Sequence, residues 1–434
     1  MLRIIIILFL FSSVSFSQSI KFPSYLDVKT KIEKEYEPDG SDVSIKLEKK
    51  PEGWFISRWR FQGMQSTKAS CEQLWSSKDN EWKSISFKIS TDSKNSKIID
   101  SISEANINKY NIYPYFGYRK WSEDVIYYYI NNKCENDTSS YILFDAYKDA
   151  AIEILNQNKN ENLDKFIYPN SELKLSSDEL KLYNDNFNKA DSILKSIDIK
   201  RIFPYNSISE LENPETDLRF RFFNYLLISN LENEALKFLA PNLFSEKEIL
   251  EYKTFVNQCD TNSILFVESL KKSCILLYLQ YYYKIREDII ICVYPNLNIP
   301  SYVDFLRNKN KGKLVLNLTP KKILDESTNV IYLKNSDIKS NITDLIKYIS
   351  ETQGYPVGNS SNMYFFPTNN FNLKKGSFKI NEPHILRSNL VFLDIINSNK
   401  NKAIYFSNEI SNINLCGLDK YIFKKKGIDK LIMN

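Results

Sequence analysis

Four polar residues stand where a sheet could present them to a ligand. Glu268 and Ser269 directly follow the apolar run Ile264 to Val267, and Arg286 and Asp288 directly precede the apolar run that ends at Val293. A carboxylate and a hydroxyl at a strand end can hydrogen-bond a ligand or move a proton, and an Arg-x-Asp pair can bind an anion or serve as acid and base. These four are the ligand-binding candidates, although the two-residue spacing of Arg286 and Asp288 is more easily read as a structural turn whose side chains anchor backbone. No residue qualifies as catalytic. The single histidine, His384, sits in an expected loop, Asn381 to His384, before an apolar helix, and every Ser-His or Cys-His nucleophile would have to use it. Ten dispersed glycines in 434 residues leave no GxSxG, P-loop or GxGxxG. The cysteines, Cys71, Cys134, Cys259, Cys274, Cys292 and Cys416, contain no CxxC pair. Because a zinc site needs about four closely supplied ligands, neither a metal nor a cofactor is expected. Cys274 and Cys292 fall on apolar faces, where a buried free thiol competes with a disulfide, and the pairing stays open.

The elements that must position the candidates lie between Ser263 and Val303. Ile264 to Val267 and Ile289 to Val293 are continuous apolar runs, the pattern of parallel strands covered on both faces, and the segment between them has helical periodicity. A right-handed crossover should join the strands. The ligand crevice would then open after Val267, at Glu268, Ser269 and the first helical turn.

The chain opens with Met1-Leu2-Arg3, an apolar run from Ile4 to Phe11, and Ser15-Phe16-Ser17 before Gln18. That order is the pattern of a cleaved secretory signal, and the run is shorter than the roughly 20 apolar residues of a membrane span. A periplasmic or secreted protein, soluble after cleavage, is expected. Cys274 to Tyr283 is likewise too short to span and reads as a buried helix. The net charge of +5 is spread over mixed Lys and Asp/Glu, which argues against nucleic acid as a partner. Only Lys424-Lys425-Lys426 clusters, at an expected helix end.

Texture divides the mature chain into three parts, giving an α+β multidomain fold. Residues 18–112 alternate in DVSIKLEK, GWFISRWRF and EWKSISFKI, as in an antiparallel β domain. Trp54, Trp59, Trp75 and Trp82 could stack on sugars, but alternation places most of them on one face, where a packed core is the ordinary outcome. Residues 113–260 carry helical segments at 121–130, 138–155, 177–197, 217–229, 232–240 and 245–257, with Ser122, Ser176 and Ser245 as cap signals. LFDAYKDAAIEIL, FNKADSILKSI and NEALKFLAPNLF resemble second helices of degenerate tetratricopeptide-type repeats, so a helical-hairpin array is expected, with an irregular bundle as the alternative. Residues 261–434 read as a mostly parallel α/β domain.

The last region carries a family resemblance. SILFVES, LLYLQ, KIREDIIICVYPNL and SYVDFL, then HILRSNLVFLDIINSNKNKAIYFSNE and LCGLDKYIFKKKGIDKL, resemble the soluble C-terminal region of bacterial multi-spanning protein O-mannosyltransferases and their soluble tetratricopeptide-bearing relatives. PYFGYRKWSEDVIYYY and KKPEGWFI are similar to stretches of the soluble relatives. The resemblance implies the α/β fold and a link to glycan transfer. It also implies Gly-Asp-Asn-Asp-Thr at the first strand end, where this chain has Ser269, Leu270, Lys271, Lys272 and Ser273, so two acids that could hold a cation or sugar hydroxyls are gone. Arg286 and Asp288 match the family's Arg-x-Asp, and Tyr405 and Phe406 match its Ile-Tyr-Phe strand. The resulting expectation is an exported, non-catalytic binding or scaffold protein of the cell envelope acting through a protein partner. The alternative is an accessory subunit or enzyme of mannosyl transfer, with a glycan as ligand.

Overall fold

The fold is that of a computed structural model, which describes residues 43–50, 52–62, 65–84, 121–132, 136–155, 175–198, 213–357, 361–373, 376–425 and 427–432, with 23, 27, 28, 30, 31 and 134. The expected signal at residues 1–17, the PYFGYRK stretch, and all but the start of EWKSISFKI lie outside the described residues. The chain mixes helix and strand and forms two compact units, residues 1–146 with 162–164, and residues 147–161 with 165–434.

The first unit holds an antiparallel sheet in the order β1 (Val43–Lys50), β2 (Gly53–Gln62), β3 (Gln65–Ser76), β4 (Glu81–Trp82). Alternation works as expected: Trp54 and Ile56 are fully buried, and Trp54 pairs in register with the buried Trp75. These two indoles are core, not sugar platforms, and Trp54 donates its ring N–H to the Pro23 carbonyl at 3.1 Å. The β1–β2 turn requires its glycine. Gly53 has φ +142°, and a Cβ there would lie 1.8 Å from the Trp75 carbonyl oxygen. Helix α1 (Trp121–Asn132) packs Val125 and Tyr129 against Ile142 and Ala146 of α2 (Asp137–Leu155). Ser122 is not the cap its position suggests. It lies inside the first turn of α1, buried, with no partner for its hydroxyl.

In the second unit, α3 (Ser177–Ser196), α4 (Pro214–Ile228), α5 (Glu232–Ala235) and α6 (Glu246–Val256) follow in order. Ser176 with Glu179, and Ser245 with Glu248, each form the reciprocal pair in which the cap hydroxyl accepts from an orphan helix N–H and the glutamate accepts from the cap. Helix α4 is buried almost all round, as its RFRFFNYLLI sequence dictates. Phe220, Phe222 and Phe223 are at most 1% exposed, so they serve the core and are not available as outward anchors. Phe222 meets Tyr183, Phe187 and Phe238 at ring distances of 5.0 to 5.7 Å.

Further along, β5 (Ile264–Val267) leads through α7 (Leu270–Tyr281) to β6 (Ile290–Val293), the strand-helix-strand unit expected. The strands are parallel, Ile264 opposite Ile290 and Val267 opposite Val293, and every residue in them is buried. After α8 (Pro300–Lys309) and the short α9 (Pro320–Leu324) comes an insertion of two small sheets. One has the order β13 (His384–Leu386), β7 (Val330–Leu333), β10 (Ser361–Phe366), β9 (Tyr355–Val357). The other has the order β12 (Gly376–Lys379), β11 (Asn370–Leu373), β8 (Lys339–Asn341), and α10 (Ile342–Glu351) packs Tyr348 against Tyr364 and Phe366 of β10. His384 is therefore in an edge strand, its ring 6.1 Å from that of Tyr332, and not in a loop.

Helix α11 (Arg387–Ser398) then returns the chain to the first sheet, which it covers with Phe392 against Phe266. Strand β14 (Ile404–Ser407) pairs parallel to β5, on the side away from β6, and β15 (Ile422–Lys425) and β16 (Ile428–Leu431) close the order β15-β16-β14-β5-β6. Tyr405 and Phe406 are buried in it, as core packing requires. The lysine cluster starts in β15 of this hairpin and not at a helix end, because Gly427, at φ +90°, turns the chain back on itself.

Candidate functional site

The strand order creates one topological switch point. From β5 the chain moves to β6 on one side and later returns to β14 on the other, so the crevice between the carboxyl ends of β5 and β14 is where an open sheet of this kind takes ligands. Glu268 and Ser269 are there. Arg286 and Asp288 are not. They precede β6 and sit at the opposite end of the sheet, separated from Glu268 by the length of a four-residue strand, roughly 13 Å.

At the crevice, the chain's own loop after β14 occupies Glu268. One carboxylate oxygen accepts from the Ser411 backbone N–H at 2.8 Å and the other from the Asn414 side-chain amide at 3.0 Å. Ser269 caps α7, its hydroxyl accepting from the Lys272 N–H at 3.3 Å. The Lys272 ammonium, one turn into the helix, reaches the same loop, at 3.0 Å from the Asn408 amide oxygen and 2.6 Å from the Glu409 carboxylate. Beneath the loop, the Tyr294 hydroxyl donates to the Asn414 carbonyl at 2.9 Å and accepts from the Asn389 amide at 2.8 Å. The Cys416 thiol also reaches the Asn414 carbonyl, at 3.6 Å. Burial holds the Tyr294 hydroxyl well above its ordinary pKa and pushes the Cys416 thiol up to about 12, so neither is a ready nucleophile or base. Ser407, at the end of β14, is buried with no partner for its hydroxyl.

At the other end, Arg286 and Asp288 form a two-pronged ion pair, Nε to Oδ1 at 2.8 Å and Nη2 to Oδ2 at 3.0 Å. The remaining guanidinium hydrogens go to the carbonyls of Val256, Cys259 and Asp260, at 2.9, 3.1 and 3.0 Å, which closes the C-terminal end of α6. Asp288 also accepts from the Asn262 N–H at 3.0 Å. The hydrogen bond from Arg286 lowers the Asp288 carboxyl to about 2. A carboxylate so held is a poor proton acceptor near neutral pH, so this pair is a structural clamp.

The strand end at Glu268 is legible in the sequence, and the groups that fill it are not. Tyr294, Asn389, and Ser411 with Asn414 come from three separate segments, and the local signal is the polar, asparagine-rich run Asn408 to Asn414 directly after a buried strand. Two open depressions, each above 500 Å³, lie in the second unit, one at the α4 and α6 caps around Asn213, Ser245 and Lys271 of the first turn of α7, and one at residues 260–262 and 401–403, beside the Arg286–Asp288 pair. Among the described residues, no cluster of three His, Cys, Asp or Glu side chains is placed to hold a metal ion, and no helix is long and apolar enough to cross a membrane.

No protein-family profile, no characterised protein and no solved structure matches the chain.

Proposed function

We propose that the chain is an exported, non-catalytic binding or scaffold protein of the cell envelope that acts through contacts with a protein partner. One observation carries this reading: the two charged groups at the β5–β14 crevice, Glu268 and Lys272, are engaged by the chain itself. Glu268 takes two N–H donors from the 408–414 loop, and Lys272 takes an amide oxygen and a carboxylate from it. Catalysis needs an acid, base or nucleophile that meets substrate, and a group engaged by its own chain is not presented to one. The proposal includes a three-part architecture: the antiparallel sheet of residues 18–112, a hairpin array of tetratricopeptide-like character over residues 113–260, and an α/β domain from residue 261. Kinship with the soluble region of O-mannosyltransferase-like proteins belongs to the same proposal and rests on the segments quoted above. Glycan transfer is the weaker reading, because Leu270 and Lys272 stand where the resemblance implies acids.

The test joins a binding and an activity arm. Mature protein used as bait in a periplasmic extract is expected to retain a stoichiometric protein partner at moderate salt. In a sugar-donor screen the purified chain is expected to release and transfer nothing. Turnover that Glu268→Gln or Asp288→Asn abolishes, with the fold intact, would overturn the reading.

A further inference from the structure

We propose that the segment Asn408 to Asn414 is a latch over the β5–β14 crevice, closed by Glu268 and Lys272, which opens without unfolding the sheet beneath it. The first ground is how the segment is attached. It emerges from β14, whose four residues are all buried, and re-enters the core at the buried Leu415 and Cys416. Between these anchors no residue is buried, and Ile413 is 64% exposed. The latch thus contributes no fully buried side chain to the apolar core, its isoleucines being half-buried at Ile410 and exposed at Ile413. It is held across the crevice by the Ser411 and Asn414 bonds to Glu268, the Lys272 contacts to Asn408 and Glu409, and the Tyr294 hydroxyl on the Asn414 carbonyl. A segment with few buried apolar contacts and exposed hydrogen bonds opens at far lower free energy than the strands it joins.

The second ground is a fixed anchor where the segment ends. Cys416 and Gly417 both have positive φ, +53° and +80°, and Cys416 is one of few non-glycine residues in the left-handed region. That conformation is unfavourable for a residue with a Cβ, and Cys416 adopts it inside the core, at 1% exposed. Gly417 cannot be replaced without a clash, since a Cβ there would lie 2.1 Å from the Lys379 carbonyl oxygen. The third ground is what lies underneath. Opening frees both oxygens of Glu268 and releases the Tyr294 hydroxyl from its acceptor, at the one place where this sheet order provides a ligand crevice. The closed latch is therefore an intramolecular occupant of that crevice. This device does not depend on whether the protein binds a partner or transfers sugar.

Hydrogen exchange on the full chain, read by mass spectrometry, tests it. In Glu268→Ala and in Lys272→Ala, amides of the latch are expected to exchange at least about ten-fold faster than in the wild type, a factor that corresponds to about 1.4 kcal/mol, the scale of one or two charge-assisted hydrogen bonds. Amides of β5 and β14 are expected to keep their wild-type rates. Glu268→Gln, which retains one carbonyl acceptor and the side-chain volume, should give a smaller acceleration and guards against misfolding of the alanine variant. Unchanged latch rates in all three variants would overturn the proposal. So would an acceleration matched in β5 and β14, because the latch would then open only with the sheet.

Discussion

Arg286 and Asp288 are two residues apart in sequence and bound to each other at both ends of the carboxylate, with Nε–Oδ1 at 2.8 Å and Nη2–Oδ2 at 3.0 Å. Arg286 adopts φ +55° to make this possible, which turns its guanidinium back toward the last carbonyls after α6. The pair therefore fastens a helix end, the turn at Asn262 and the start of β6 together.

Replacement of Arg286 should cost stability and not ligand affinity. Lysine cannot reproduce a planar fork that meets a carboxylate and three carbonyls at once. Arg286→Lys is expected to lose about 2 kcal/mol, the scale of hydrogen bonds made by a charged donor. The Arg286 side chain is 16% exposed, so solvent replaces the lost partners only in part. Chemical denaturation checks this, with the midpoint falling and the slope unchanged.

Acid should weaken the same clamp. The Asp288 carboxyl has its pKa depressed from 3.8 to about 2, chiefly by the Arg286 hydrogen bond, so the folded state binds this proton less readily than the unfolded state. Its contribution is fully present above about pH 4 and is lost as pH falls through 2. With the carboxylate 31% exposed, solvent screening leaves about 1 kcal/mol for this group. Asp288→Asn should flatten the stability curve between pH 4 and 2 by that amount, as measured by denaturant midpoints at stepped pH.

The sequence made parts of this site legible and hid others for identifiable reasons. Ile264 to Val267 and Ile290 to Val293 are continuous apolar runs because both faces of those strands are buried, so composition alone reveals them. Capping at Ser245 is equally local, since both partners lie within one turn. Strand β3 was not foreseen. Its sequence, QSTKASCEQLWS, is largely polar, and its pairing with β2 slips register twice. The partners of Glu268 were invisible because Ser411 is 143 residues away, brought back only by the return of β14 to the side of β5. The lysine run lies in a hairpin and not at a helix end because the left-handed Gly427, two residues past β15, reverses the chain, a turn that composition alone does not show.

The cysteines should divide by burial. All six are free, Cys71 is exposed, and Cys259, Cys274, Cys292 and Cys416 are buried. Burial also raises the thiol pKa of Cys259 to about 12, and that of Cys292 higher, so the reactive thiolate is scarce as well as hidden. Titration of the native protein with a thiol-specific chromogenic disulfide is expected to modify Cys71 promptly and the four buried thiols only after denaturant is added. Prompt reaction of a buried position, located by peptide mapping, would contradict the packing.

Asp394 should respond to pH with the opposite sign from Asp288. It is fully buried within α11, where Oδ2 accepts from the backbone N–H groups of Asn317 and Leu318, both at 2.8 Å, and Oδ1 accepts from the Ser398 hydroxyl at 2.8 Å. Burial outweighs these bonds and raises its carboxyl above the ordinary 3.8. The folded state then holds the proton more readily than the unfolded state, so this residue's contribution is fully present below about pH 4 and declines as pH rises through the raised value. Asparagine preserves the shape, keeps an oxygen for the two backbone donors, and can turn its amide toward Ser398. Asp394→Asn should therefore change stability at pH 7 by less than about 1 kcal/mol and remove this titration. Asp394→Ala leaves two buried N–H groups without acceptors and should cost about 3 kcal/mol, the sum of two unmet donors and a small cavity. Denaturation midpoints of the two variants at pH 4 and pH 7 separate the two effects, and an Asn variant as unstable as the Ala variant would show that the buried charge itself, and not the acceptor geometry, holds residues 317 and 318 to α11.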